Sequence, residues 1–140
     1  MKKLLAFIML LSVLTLVACG SDSKEASITT KDVIQSFKDD GLDIGDVSDL
    51  ENKEFGDTRK EGKRILVPSL GEDAGGRIFM FKDKKGLEAA KSYYDDLGKE
   101  SPLFYSHTYA NGLFLIQMNG EMKDAEFEKF KNSMDAALKK

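Results

Sequence analysis

Apolar positions recur along this chain with two periods, and three stretches carry the helical one. In "ITTKDVIQSFKDDG", Val33, Ile34 and Phe37 share one face. Thr29 with Asp32 three residues on predicts a capping box, Ile28 and Val33 a hydrophobic staple, and Gly41 a helix exit. "DKKGLEAAKSYYDDLG" predicts a second helix, capped by Asp83 and stopped at Gly98, with Leu87, Ala90, Tyr94 and Leu97 as its inner stripe. "EMKDAEFEKFKNSMDAALKK" predicts a third, with Phe127, Phe130, Met134 and Leu138 along one side. Its acids come early and its lysines late, as the helix dipole favours.

Between these stretches four runs have strand character: Arg64–Pro68, Arg77–Phe81, Leu103–Ala110 and Leu113–Asn119. Pro68 places the first at an edge or a strand end. Asn111-Gly112 between two β-rich runs predicts a two-residue type I′ hairpin turn. That turn sets Ala110 opposite Leu113, Tyr109 opposite Phe114 and His107 opposite Ile116. One face then holds Leu103, Tyr105, His107, Tyr109, Phe114, Ile116 and Met118, the better core. The other mixes Phe104, Leu113 and Leu115 with Ser106, Thr108 and Gln117. Residues 42–63 are polar and read as a long loop pinned by Leu50 and Phe55. The expected fold class is α+β: a four-stranded antiparallel sheet with helices packed mainly on one face, in the order α-β-β-α-β-β-α, within a single domain over residues 28–140. On that arrangement Phe104, Leu113 and Leu115 are scattered surface groups, groups covered by the 42–63 loop, or a partner surface.

The N-terminus adds a location. Lys2 and Lys3 precede an uncharged run from Leu4 to Val17, shorter than the roughly 20 residues of a spanning helix. Such a run is the core of a secretory signal. Its end, Leu16-Val17-Ala18-Cys19, resembles the bacterial lipobox, which implies that residues 1–18 are a signal peptide and that Cys19 is lipidated at its thiol. Two acyl chains on one cysteine suffice for stable anchoring, so the expected location is the cell membrane, lipid-anchored and facing outside. Residues 19–27 comprise the lipidated cysteine and a flexible tether, "GSDSKEAS". Cys19 is the one cysteine in the chain, so no thiol remains for a disulfide or a nucleophile.

Charge and motifs narrow the chemistry. The whole chain carries 21 basic and 24 acidic side chains, and loss of Lys2 and Lys3 makes the mature body more acidic still. That balance argues against nucleic acid, which wants a basic stripe. After the signal, roughly 120 residues remain, enough for one domain and too few for a two-lobed solute receptor. His107, the only histidine, reads as a rim residue packed against aromatics. "LGEDAGGR" lacks the Lys-Ser/Thr ending of a phosphate loop and leads into a strand. It reads first as a hairpin loop; beyond that role, its Glu72 and Asp73 make it a candidate polar loop for a cation or a partner's arginine rather than for phosphate. "DGLDIGDVSDLE" fails as a calcium loop because Leu42 and Ile44 stand where oxygen ligands are required. No metal site and no cofactor is expected.

The segments "VPSLGEDAGGRIFMF", "YYDDLGK" and "LFLIQMNG" resemble small lipoproteins of bacillus-type Gram-positive bacteria, of uncharacterised function and often labelled "stress protein". Some small lipoproteins of this general sort are carried on mobile elements and associated with excluding incoming DNA. The resemblance spans about Ile28 to the C-terminus and brings no catalytic motif. The leading expectation is a non-enzymatic, membrane-anchored binding or interaction module at the cell surface, with an envelope protein as partner. A small-ligand sensor or carrier is the alternative, and an enzyme built on scattered carboxylates or His107 a third reading.

Overall fold

A computed structural model describes residues 27–140; Cys19 and the signal peptide lie outside the described residues. Helix α1 (Thr30–Asp39) starts on a complete capping box: Thr29 Oγ1 accepts from the Asp32 amide, and the Asp32 carboxylate accepts from the Thr29 amide at 2.8 Å. Gly41, at φ +73°, turns the chain out of it. Helix α2 spans Lys84–Glu100, capped by Asp83 through the Gly86 amide, and α3 spans Asp124–Leu138. The sheet has five strands: β1 (Val47–Asp49), β2 (Arg59–Leu66), β3 (Gly75–Phe81), β4 (Ser106–Asn111) and β5 (Phe114–Asn119). They lie in the order β1-β2-β3-β5-β4 and every neighbouring pair is antiparallel. From β3 the chain climbs through α2 to the far edge, lays down β4, and returns by a hairpin to insert β5 in the middle.

Period-2 alternation in the central strands feeds two cores. Ile65, Ile78, Ile116 and Met118 project to one face, where Val33, Phe37, Phe130 and Met134 of α1 and α3 cover them. Phe37 and Phe130 meet edge to face with ring centroids 5.1 Å apart. Phe79, Phe81 and Leu115 project to the other face, beneath Leu87, Ala90 and Tyr94 of α2, with Leu50 and Phe55 packed alongside. Complete burial of a side chain such as Phe79 or Leu115 contributes about 1.5–3 kcal/mol.

Several expectations are corrected. The sheet has five strands instead of four, and the element order is α-β-β-β-α-β-β-α. Residues 42–63 are not one loop: they contain β1 and the first half of β2. Both strands escape hydropathy because their charges have dedicated partners. Glu61 of β2 reaches Thr30 of α1, Lys63 pairs with Asp49 of β1, and Arg59 donates to the carbonyls of Glu54, Leu50 and Glu51. Two of the three helices, α1 and α3, share one face, and α2 covers the opposite one.

Leu103 and Phe104 are not strand residues. Pro102 opens a 3-10 turn over Pro102–Phe104, and β4 begins only at Ser106. Gly98 does not stop α2, which runs on to Glu100. Its missing side chain admits Tyr105 instead, since a Cβ there would lie 3.2 Å from the tyrosine Cδ2. The hairpin turn is Gly112-Leu113, with Asn111 opposite Phe114, Tyr109 opposite Ile116 and His107 opposite Met118. Gly112, at φ +59°, is the one turn residue with positive φ, which is the type II′ pattern. The slip from the expected register is two residues, so each side chain keeps its expected face.

Candidate functional site

The face of the sheet beneath α2 is divided. Toward one end Gly62, Phe79, Leu115 and Ala110 stand in register across four strands and belong to the dry half. The next row in the other direction is polar throughout: Ser48, Arg64, Arg77, Gln117 and Thr108, one from each strand. Beyond the reach of α2 this row opens into a groove of about 360 Å³. Arg64, Arg77, Gln117 and Ser106 line it from the strands, with Leu103 and Phe104 on one side and Asp73 on the other.

Hydrogen bonds fix its polar groups. Arg77 Nε donates to Glu54 Oε1 at 2.6 Å and Arg77 Nη1 to Gln117 Oε1 at 3.3 Å; Gln117 Nε2 donates to Ser106 Oγ at 2.9 Å. Arg64 Nη2 donates to the Asp73 carbonyl at 2.8 Å, and Arg64 has no carboxylate partner among the described residues. The groove therefore carries one compensated and one uncompensated guanidinium. Beside it Leu103, Phe104 and Tyr105 are 91 %, 58 % and 48 % exposed, three large apolar groups in succession on the surface. Exposed apolar residues scattered singly are ordinary, and these three are consecutive.

The candidate surface Phe104, Leu113 and Leu115 does not assemble. Phe104 is exposed on the 3-10 turn, Leu113 is half-buried in the hairpin turn, and Leu115 is fully buried under α2. Leu115 is thus withdrawn from any surface role, because α2, Leu50 and Phe55 cover the face on which it lies. Of the polar loop, Glu72 and Asp73 are both exposed, and Asp73 contributes its carbonyl to Arg64 from a backbone at φ +59°. The residues missed are Arg64, Arg77 and Leu103. For Leu103 the signal was Pro102: a proline just past the end of a helix starts a turn, and it places the next two apolar residues at a loop tip instead of in a strand; for the two arginines no local signal existed.

His107 lies deeper than a rim position, 6 % exposed and stacked on Phe127 with ring centroids 4.9 Å apart. Its Nε2 faces the Met122 carbonyl at 2.7 Å, an acceptor only, so Nε2 carries the hydrogen and donates it. Nδ1 faces Tyr105 Oη at 3.3 Å. Both ring nitrogens thus have structural partners. Nearby, Thr108 Oγ1 and Lys91 Nζ each donate to Asp95 at 2.6 Å. Burial pushes the Asp95 carboxyl up, but these two bonds together with the charges of Lys91 and Lys99 outweigh it and hold the group below the ordinary carboxylate range.

Leu42 and Ile44, which stand at oxygen-ligand positions of a calcium loop, pack against the first core. Among the described residues no three His, Cys, Asp or Glu side chains converge to hold a metal ion, and no helix is long and apolar enough to cross a membrane. Compared with protein-family models, curated sequences and solved structures, the chain finds no match.

Proposed function

We propose that this chain is a non-catalytic binding module, held on the outer face of the cell membrane by the lipid on Cys19, that docks an envelope protein through the corner formed by Leu103, Phe104 and the arginine groove. The observation that carries the reading is the exposed run Leu103-Phe104-Tyr105 beside Arg64 and Arg77. Aromatic groups beside an arginine, here Phe104 and Tyr105 next to Arg64, are a combination enriched at protein interfaces. The partner that fits offers a pocket for the Leu103 and Phe104 side chains and a carboxylate for Arg64. The tether is short, so that partner sits in or near the same membrane or wall.

The test is site-specific photocrosslinking from position 103 of the lipidated protein in intact cells. A discrete crosslinked product is expected, and Phe104→Ser together with Arg64→Leu should abolish it without altering the melting midpoint. An identical product from that double variant overturns the reading. A second reading, a small-ligand carrier, draws on another groove of about 420 Å³, in which Val67, Met122 and Phe130 are rimmed by Asp43, Lys123 and Glu126.

A further inference from the structure

The two edges of the sheet differ in how they are closed. Edge strand β1 is three residues long, and its Asp49 is tied to Lys63 of β2. Short, charged edges are how sheets discourage further pairing. The opposite edge, β4, has six residues in unbroken register with β5, no proline, no lysine and no bulge. Which of its main-chain groups face outward follows from a single bond. The Leu113 carbonyl accepts from the Phe81 amide at 2.9 Å, so Leu113 and, by alternation, Leu115 and Gln117 turn their main-chain groups to β3. Phe114, Ile116 and Met118 then turn theirs to β4, where they engage Asn111, Tyr109 and His107. Ser106, Thr108 and Ala110 point their N–H and C=O groups away from the sheet. Among the described residues no turn, loop or cap bond reaches those groups.

This edge lies at the floor of a groove of about 390 Å³, between Asp95 of α2 and Asp124 and Glu128 of α3, and lined by Ser106, His107 and Thr108. Besides the His107 ring, the lining carries three carboxylates: Asp95 is paired with Lys91 at 2.6 Å and Glu128 with Lys131 at 2.7 Å, whereas Asp124 has no lysine or arginine partner among the described residues. Asp124 is 97 % exposed, and its nearest basic group is His107 Nδ1 at 3.8 Å. The lining also selects the occupant. A second copy of this chain would bring the same acidic side chains, Asp95, Asp124 and Glu128, against these, and like charges disfavour that pairing. A bare extended segment fits.

We propose that β4 is a docking edge that takes up an extended, basic peptide segment by strand addition. Its main chain pairs with Ser106, Thr108 and Ala110, and its Lys or Arg side chains meet Asp95, Asp124 and Glu128. Main-chain bonds supply the hold and the acidic walls the selectivity. This surface is separate from the Leu103–Phe104 corner, although Tyr105 and Ser106 line both grooves.

The test uses the full mature lipoprotein in a non-ionic detergent and a hexapeptide alternating lysine and valine. Saturating peptide should slow amide hydrogen exchange at Ser106, Thr108 and Ala110 by about tenfold or more, and leave His107 and Tyr109 unchanged. Thr108→Pro removes one outward donor, which an edge tolerates, and should weaken binding about tenfold. Thr108→Val loses the same hydroxyl bond to Asp95 but keeps the amide, so it should retain more of the binding than Thr108→Pro does. If Thr108→Pro fails to fold, a peptide N-methylated at alternate residues, applied to the unaltered chain, makes the same comparison. Substituting Leu103 and Phe104 by serine should leave peptide binding intact. Equal binding of the N-methylated peptide or of a glutamate–valine peptide, or absence of protection, overturns the proposal. So does concentration-dependent protection of the same amides without peptide, which would assign the edge to self-association.

Discussion

Arg64 and Arg77 stand directly opposite each other on β2 and β3, like charges on one face of the sheet, and each is drawn aside by a different oxygen. Arg77 is held by Glu54, and Arg64 by the Asp73 carbonyl. Opposed like charges disfavour pairing, so the two anchors have unequal duties. Arg77→Leu should leave the half-buried Glu54 carboxylate without its cation and loosen the 50–58 segment, lowering stability by about 1–3 kcal/mol in urea unfolding. Arg64→Leu removes one bond to a main-chain oxygen and relieves the repulsion, so its unfolding curve should lie within about 0.5 kcal/mol of the original. Reversal of that ranking would refute the assignment.

Leu115 and Leu103 give the sharpest contrast between leucines. Leu115→Ala opens a cavity under α2 and should cost about 2–5 kcal/mol. Leu103→Ala, on a residue 91 % exposed, should change stability by no more than about 0.5 kcal/mol. Denaturant midpoints of the two variants decide the point.

Tyr94 links the second core to alkaline stability. Burial pushes its phenol up to about 12, so the folded state holds a proton that the unfolded chain gives up near pH 10. Between those values the unfolded chain binds fewer protons, and stability falls as pH rises. The contribution is complete below about pH 10 and lost by about pH 12. Thermal midpoints measured across that window should fall more steeply for the unaltered chain than for Tyr94→Phe, and parallel curves would show that Tyr94 is not the group responsible.

Much of the fold was legible where local chemistry and tertiary packing agree. The Thr29–Asp32 capping box is a contact between neighbours in sequence, so four residues suffice to announce it. The hairpin faces survived an error in the turn because side chains alternate with period two, and a two-residue slip changes partners without changing sides. What the sequence withheld was non-local. The stripe Leu87, Ala90 and Tyr94 states that α2 is amphipathic, but not which face of the sheet it meets. The charged β2 segment "RKEGKRIL" is a strand because of partners elsewhere in the chain: Thr30, Asp49 and the carbonyls near Glu54. The arginine groove needed all of this at once, since Arg64, Arg77 and Gln117 become neighbours only through strand order.

His107 tests whether a buried imidazole here is structural. His107→Phe keeps the stack on Phe127 but orphans the Met122 carbonyl, which should cost about 1–3 kcal/mol. Partner crosslinking from position 103 should persist in the folded variant. A stable His107→Phe protein that has lost the crosslink would instead make the ring part of the docking surface.

Cys19→Ser tests the anchor. Without the thiol no diacylglyceryl group is added, and the protein should appear in the medium or persist as an unprocessed precursor. Fractionation that finds a mature, membrane-bound serine variant would remove Cys19 as the attachment point.

One bond pair acquires a mechanical meaning if the domain hangs from a lipid. Glu61 accepts from both the amide and the hydroxyl of Thr30, at 2.8 and 2.6 Å, and Thr30 is fully buried. Thr30 is the first residue of α1, a few positions from the tether. A pull transmitted along the tether therefore reaches the domain at a rivet between α1 and an interior strand, instead of at a free helix end that would peel. Load entering there would pass from β2 to its antiparallel neighbours β1 and β3 before it reached the arginine groove on the opposite face.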